Sequence, residues 1–449
     1  MERTVDTSHV LHSNMKGTIP TVERGEGVYL YDISGRRYLD GSAGPVACNI
    51  GHGVKEIGEA LAEQAQKVAF VYRTQFTNEP LEKLADLIAE MAPGDLNRVL
   101  LVSSGSEASE MAAKIARQYY LELGESRKER IVSRWLSYHG ITMGALSMSG
   151  HVFRRKHYVT SLLPYPKIPP PYCYRCPFGY EYPGCDVACA YELRRTIQMT
   201  GEEYISAFIA EPVVGAAGGA ICAPPEYFKI VREICDEHNI LFIADEVMTG
   251  FGRIGFNFGI EHWGAVPDII TFAKGASAGY YPLAGVIVSD RIYEVLRDGA
   301  GTFAPGHTFC GTPMAGLVGL KVIEYSKKHG LTENVNRLHP YLMDQLKRMY
   351  KYPIVGDVRG KGFLTGVELV KDQMTKEPFD FKEWAKVSFS LVQTAFEKGL
   401  ILYPGGGTVD GHRGDHILVA PPLTITREEI DELISILDDS LREIVLTLS

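Results

Sequence analysis

The sequence predicts an α/β protein built on a mostly parallel sheet with helices on both faces. Two observations carry that expectation. Between about Val54 and Asp290, short aliphatic runs alternate with segments of helical spacing, and strands that alternate with helices pair in parallel under a double helical cover. Several of those runs also end on polar or charged residues, which is where an open α/β sheet gathers its ligands.

In chain order, "GVYLYDISGRRYLDG" (27–41) predicts a hairpin turning at Ser34 and Gly35. "RVLLVSS" (98–104) predicts a short apolar strand, and "SEASEMAAKIARQYY" a helix after it. "ERIVSRW" (129–135), "AFIAEPVV" (207–214), "ILFIADE" (240–246), "DIITFAKG" (268–275) and "LAGVIVSD" (283–290) read as further buried strands. "PEYFKIVREICDEHN" (225–239) is an amphipathic helix between two of them, with proline at its start. After about Thr312 come a long helix, short strands around "VRGKGFLTGVELV", and a last helix, "REEIDELISILDDSLREIV". The economical partition is a large domain over 54–311 and a smaller α+β domain made from both chain ends, 1–53 and 312–449. "PYPKIPPPYCY" is a proline-rich loop rather than a linker between domains.

Composition narrows the function classes. The chain has 449 residues, 45% hydrophobic and 22% charged, enough for a core that supports a stable enzyme. A formal net charge of −9 and no long basic run disfavour binding to nucleic acid or a membrane surface. "FRRKH" (153–157) reads as a short solvated loop. The most apolar window, "AFIAEPVVGAAGGAICAPP", is interrupted by Glu211, Pro212 and glycines, so no membrane span is expected. The opening "MERTVDTSHVLHSNMKGTIP" lacks an apolar signal-peptide core. A soluble, cytoplasmic protein is the expectation.

The chemistry gathers at the strand ends. "SSGSEA" places Gly105 and Ser106 at the opening of a helix, where exposed N–H groups and a hydroxyl suit a phosphate dianion or simply cap the helix. "SYHG" puts Tyr138 and His139 at the same edge, either as an aromatic face for a flat ring or as a packed loop. Glu211 follows "AFIA" and reads equally as a loop acid or a site acid. Asp245 ends "LFIA" and Lys274 ends "IITFA", and neither charge is cheap to bury alone. Taken together, a phosphate cradle, an aromatic face, an acid and an amine match the needs of pyridoxal phosphate. That cofactor requires a lysine for its aldehyde and a carboxylate to hold the proton on its ring nitrogen. Val247 would press on the ring's other face.

These stretches resemble the class III aminotransferases, the subgroup-II pyridoxal-phosphate enzymes of fold type I. The resemblance rests on "DEVMTGFGRIG" followed by "PDIITFAKGASAGYYPLAG", with "SSGSEASEMAAKIARQY", "YHG", "EPVVGAAGG", "HTFCGTPMA" and "APPLTIT" in the family's order, and it covers nearly the whole chain. It implies a seven-stranded-type sheet in the large domain. It implies Lys274 as the Schiff-base lysine and proton shuttle, Asp245 at the ring nitrogen, and Val247 and Tyr138 on the two ring faces. Gly105 and Ser106 would hold the phosphate, and Thr308 would reach it from the partner subunit, since the family's sites lie at a homodimer interface. His139 takes a supporting role, and Glu211 matches the family's "EP" acid.

In the ω-amino acid:pyruvate branch that the chain resembles, an arginine before the "PPL"-like segment binds the substrate carboxylate. Arg413 is the nearest candidate, with a solvated loop arginine beside Asp410 and Asp415 as the alternative. Tyr72, Arg73 and Phe76 are candidates to line the pocket near the dimer seam, Arg73 as a rival carboxylate ligand. Cys173, Cys176, Cys185 and Cys189 cluster with a C-x-x-C pair at their head, consistent with a tetrahedral zinc site or with reduced thiols or a labile disulfide in a loop. The resemblance therefore implies transamination from an ω-amino acid or amine to an oxo-acid such as pyruvate, by a homodimer or dimer of dimers. A decarboxylase, aminomutase or epimerase of the same fold, or a catalytically dead binding relative, shares much of the pattern.

Overall fold

A computed structural model describes residues 3–5, 8–379 and 386–448, so parts of the two predicted end segments lie outside the described residues. Strand β1 (Val22–Glu26) pairs antiparallel with β2 (Tyr29–Asp32), and β2 with β3 (Arg37–Asp40) is the predicted hairpin, the Ser34 and Arg36 amides donating to Asp32 across its turn. Helices α1 (Lys55–Lys67) and α2 (Glu79–Met91) follow. The central layer then runs through β4 (Leu96–Val102), α3 (Gly105–Glu122), β5 (Arg130–Arg134), the edge strand β6 (Lys167–Ile168), α4 (Ala188–Thr200) and β7 (Ile205–Ala210). It closes with α5 (Tyr227–Glu237), β8 (Leu241–Asp245), β9 (Ile269–Phe272) and β10 (Ala284–Ser289).

These strands form one seven-stranded sheet in the order β4-β10-β9-β8-β7-β5-β6. Every pairing is parallel except those of β10, which runs antiparallel to both β9 and β4. Successive side chains on a strand face opposite sides, and the core divides accordingly. Phe208, Phe242, Ala244, Ile270 and Phe272 pack with Leu193 and Ile197 of α4 and Phe228 and Val231 of α5. Ala207, Ile209, Leu241, Ile243 and Ile269 pack with Ala108, Ala112, Ile115 and Tyr119 of α3. Both faces are therefore covered, as the alternating pattern requires.

Two elements differ from the sequence reading. The run "AFIAEPVV" is not one strand: it stops at Ala210, and Val213–Val214 pair instead with Ile221–Cys222 in a separate hairpin. Pro212 has no N–H to offer a ladder, and Glu211 is turned toward other partners described below. The long helix after Thr312 is two, α6 (Pro313–Lys328) and α7 (Leu331–Lys347), divided at Gly330 with φ +60°.

The remaining strands are β11 (Val355–Lys361) and β12 (Leu364–Leu369), then, beyond α8 (Lys386–Glu397), β13 (Leu400–Ile401), β14 (Tyr403–Gly406) and β15 (Asp415–Val419), before α9 (Arg427–Leu448). β11-β12-β15-β14 is an antiparallel sheet, while β13 runs parallel to β3 and adds a fourth strand to β1-β2-β3. The two chain ends thus share a sheet. Among the described residues no helix is long and apolar enough to cross a membrane.

Candidate active site

The site grows from the carboxyl ends of four neighbouring strands. β8 ends on Asp245, which is opposite Thr271 of β9 in the ladder, and Lys274 follows two residues after β9 ends. The adjacent acids of "ADE" separate at the strand's end, Asp245 closing β8 and Glu246 following it. Asp245 is buried beside His139, whose Nδ1 lies 2.7 Å from Asp245 Oδ2, and Asp245 Oδ1 accepts from the Val247 N–H at 3.1 Å. Glu246 turns away from that site and accepts from the Gly259 and Ile260 amides at 2.8 and 2.7 Å and from the Thr249 hydroxyl. Burial raises the Glu246 carboxyl to about 7, and its work is to hold the 259–263 turn.

Lys274 has φ +46°, a left-handed conformation that costs a non-glycine residue about 1 kcal/mol or more. Its amine is brought down to about 8, first by burial and further by the cations Arg154 and Arg253, with Asp245 acting in the opposite sense. A neutral amine is therefore accessible near physiological pH, which is what attack on a carbonyl carbon needs.

Gly105 opens α3 behind the N-cap Ser104, whose hydroxyl accepts from the Glu107 N–H at 3.3 Å while Glu107 accepts from Ser103 at 2.9 Å. A side chain at Gly105 would meet the Val247 methyls at 3.1 and 3.2 Å and Ala273 at 3.6 Å. The helix N-terminus, Val247 and the residue before Lys274 thus converge. The Ser106 hydroxyl accepts from the Ile141 N–H at 2.9 Å, tying the "YHG" loop to the same helix start.

Tyr138 is partly buried, with the Arg154 guanidinium 4.6 Å from its ring centroid. Arg154 also donates to the Tyr403 hydroxyl at 3.2 Å. Tyr138, His151, Arg154, Phe389 and Tyr403 line a cavity of about 710 Å³, within the range of small-molecule sites. A depression of about 760 Å³ beside Lys114 and Arg117 of α3 is not lined by the strand-end residues. "FRRKH" is thus not merely a solvated loop: Val152–Arg155 is a short helix, and its exposed Arg154 faces the cavity. Nothing in three adjacent cations told which one turns toward a pocket. Arg134, Arg253 and Tyr403 were missed for the same reason, since each takes its place from strands distant in sequence.

Other predicted residues lie differently. Glu211 is buried against Arg134, whose Nη2 donates to Glu211 Oε2 at 3.2 Å and to its carbonyl at 2.6 Å. Arg413 is bound on its own loop by Asp410, Nε to Oδ2 at 2.8 Å. That loop rests on Val152, which a side chain at Gly411 would meet at 2.5 Å. Tyr72, Phe76 and Thr308 are exposed, and the partly buried Arg73 donates to the Pro305 carbonyl at 3.1 Å. Phe70 and Phe309 meet edge to face at 6.3 Å, and the 307–309 stretch approaches the start of α3, where His307 lies 3.4 Å from Glu107.

The cysteines line a small cavity of about 20 Å³ of their own. All four are free thiols, and burial raises Cys189 to about 12, with further upward pressure from the other three. Among the described residues no group of three or more His, Cys, Asp or Glu side chains is arranged to hold a metal ion.

Comparison with known proteins agrees with this architecture. The family described as aminotransferase class-III matches residues 11–441, and the chain belongs to that family. It is 44% identical over 435 residues to the uncharacterized aminotransferase YodT of Bacillus subtilis, covering 97% of each. It is 36% identical to the putrescine–pyruvate aminotransferase of Pseudomonas aeruginosa, over 92% of this chain and 89% of that one. An (S)-enantioselective omega-transaminase from Thermomicrobium roseum superposes with a TM-score of 0.91 at 38% identity, covering 98% of this chain and 97% of that chain. An amine transaminase from an uncultivated Pseudomonas species, in its PLP-bound form, matches with a TM-score of 0.89 at 34% identity, over 97% and 98% of the two chains. The protein is an aminotransferase of the pyridoxal-phosphate fold type I, as its motifs implied.

Proposed function

We propose that the protein moves an amino group from an ω-amino acid or primary amine to an oxo-acid such as pyruvate, in two half-reactions that share Lys274. The observation that carries the reading is the partly buried Lys274 amine, brought down to about 8 by its surroundings and set at the strand ends with the Asp245–His139 pair. The group expected there is pyridoxal phosphate, and the residues fit it. Asp245 is a buried carboxylate oriented from two sides, as a partner for a ring nitrogen must be. The space at Gly105 is one that a side chain would take up, beside amides at a helix start that suit a phosphate. Val247 and Tyr138 would meet the ring's faces, with Thr308 of a second subunit completing the phosphate site in a homodimer. When bound, the cofactor supplies an electron-withdrawing ring that delocalises the charge left on the substrate carbon.

The chain's own groups do the remaining work. Lys274, neutral in part near pH 8, would take the proton from the substrate carbon and pass it to the cofactor's former aldehyde carbon within the first half-reaction, and would carry a proton the opposite way, onto the acceptor's carbon, in the second. His139 holds the Asp245 carboxylate in place, so its charge faces one position. Arg154, steadied by Tyr403 and lying over Tyr138, is placed to receive a substrate carboxylate at the cavity wall. This supports a donor or acceptor that carries an acid group, and makes Arg154 a stronger candidate than Arg413, which is already paired with Asp410.

Arg154→Met tests the carboxylate assignment. With an amine donor lacking a carboxylate in the first half-reaction, its rate constant should stay within about threefold of wild type. With an ω-amino acid donor kcat/KM should fall by about tenfold or more, the worth of one charged hydrogen bond. Equal losses for both donor types would remove Arg154 from substrate recognition.

A further inference from the structure

The molecule contains a buried ionic chain beyond the cofactor-facing groups. Arg134 is the last residue of β5 and its side chain is fully buried. Its Nη2 donates to Glu211, just past the end of β7, at both the carboxylate (3.2 Å) and the carbonyl (2.6 Å). The other Glu211 oxygen accepts from the Tyr138 N–H at 3.0 Å. Glu211 Oε2 also lies 3.9 Å from His139 Nε2, whose ring reaches Asp245 through Nδ1. Three strand ends, β5, β7 and β8, are therefore stitched by Arg134, Glu211, His139 and Asp245 in sequence.

The backbone between them is pinned as well. The His139 N–H donates to the Ser149 hydroxyl at 2.8 Å, and its carbonyl accepts from the Ser109 hydroxyl at 2.7 Å. Arg134 and Glu211 are each costly in this interior without the other. Paired, they give the Tyr138 amide and the His139 ring a fixed charged neighbour. We propose that Arg134, acting through Glu211, is a positioning residue that sets the placement of the Tyr138 ring and the His139–Asp245 pair against pyridoxal phosphate. Glu211 then acts behind the cofactor site rather than touching the cofactor. The inference rests on the function proposed above and adds a role for residues outside the site itself.

The test is titration of the cofactor-free protein with pyridoxal phosphate, reading the dissociation constant and the visible circular dichroism of the bound chromophore. The second signal follows the orientation of the ring in its chiral surroundings and is independent of turnover. Arg134→Met should weaken binding by about tenfold or more and reduce the dichroic band, since it strands the Glu211 carboxylate. Arg134→Lys, which keeps a cation for Glu211, should recover most of both signals. Glu211→Gln preserves volume and an acceptor for Tyr138; it should shift both signals in the same direction by a smaller factor, and it serves if Arg134→Met does not fold. A folded Arg134→Met with wild-type affinity and dichroism would overturn the proposal, as would an unchanged Glu211→Gln if Arg134→Met does not fold. A purely structural role would lower the melting temperature and leave both signals of the folded protein intact. Wild-type protein that binds no pyridoxal phosphate would instead overturn the underlying function.

Discussion

Lys274 is the residue at which burial, charge and chemistry meet, and its titration has a consequence for stability. The amine titrates near 10.5 in an exposed chain and near 8 in the folded one. Below about pH 8 both states carry the proton, and folding bears the full cost of burying a cation. Between about 8 and 10.5 the folded state has released a proton that the unfolded state retains, so stability climbs with pH. Above 10.5 the cost is gone. Lys274→Met should therefore stabilise the cofactor-free protein at pH 7 by about 2 kcal/mol, the shift being discounted for partial solvent screening. Urea midpoints from pH 7 to 10.5 give the check: the wild-type curve should rise relative to the variant's, and parallel curves would remove Lys274 as the source. The Asp245–Glu246 pair teaches a related lesson. Asp245 closes β8 and Glu246 follows it, each with partners of its own, and burial raises the Glu246 carboxyl while it braces a turn.

Among the elements, the start of α3 is the most constrained. The sequence reads Gly105 and Ser106 as the opening of a helix, and the cap itself is the preceding Ser104, with the hydroxyl and carboxylate bonds around Glu107 of a capped helix. What the sequence could not show is that Gly105 sits against Val247, because that contact depends on strands far apart in the chain. Gly105→Val should push Val247 toward the expected ring position. Cofactor affinity should fall by about tenfold or more while fold stability changes by only about 1 kcal/mol, a local crowding effect. Equilibrium dialysis with pyridoxal phosphate measures it, and native affinity would mean that this approach does not border the cofactor. The short helix Val152–Arg155 is the opposite case. Its cations carry no periodic signal, and Arg154 acquires meaning only from Tyr138 and Tyr403, which lie 16 residues before it and far after it.

Across the whole molecule, the alternation of strands and helices made the seven-stranded sheet legible, because periodicity is local and buried parallel strands read as aliphatic runs. The antiparallel insertion of β10 and the break at Pro212 were less so, since they depend on pairing partners. The junction behind Lys274 was invisible for the same reason. There the buried Arg253 donates to the carbonyls of Phe363, Ala420 and Pro421 at 3.1, 3.3 and 2.6 Å and to Asn49 Oδ1 at 2.7 Å. Asn49 in turn touches the chain beside Lys274, since a side chain at Gly275 would meet its Nδ2 at 2.4 Å. One arginine thus links the N-terminal segment, the loop after β8 and the C-terminal sheet. Arg253→Met should cost about 3 kcal/mol or more in urea unfolding, because four buried acceptors lose their donor together. A loss under about 1 kcal/mol would show that the junction holds without it.

Whether Lys274 carries amino-group transfer is decided by a single half-reaction. Purified protein loaded with pyridoxal phosphate is mixed with an amine donor and no acceptor, and the visible band and the released oxo product are followed for wild type and Lys274→Ala. Wild type should bleach and release about one oxo product per subunit, while the variant retains the cofactor and reacts slower by about a thousandfold or more. Equal rates in the two proteins, or release of carbon dioxide from a wild-type enzyme whose band persists, would contradict amino-group transfer through Lys274.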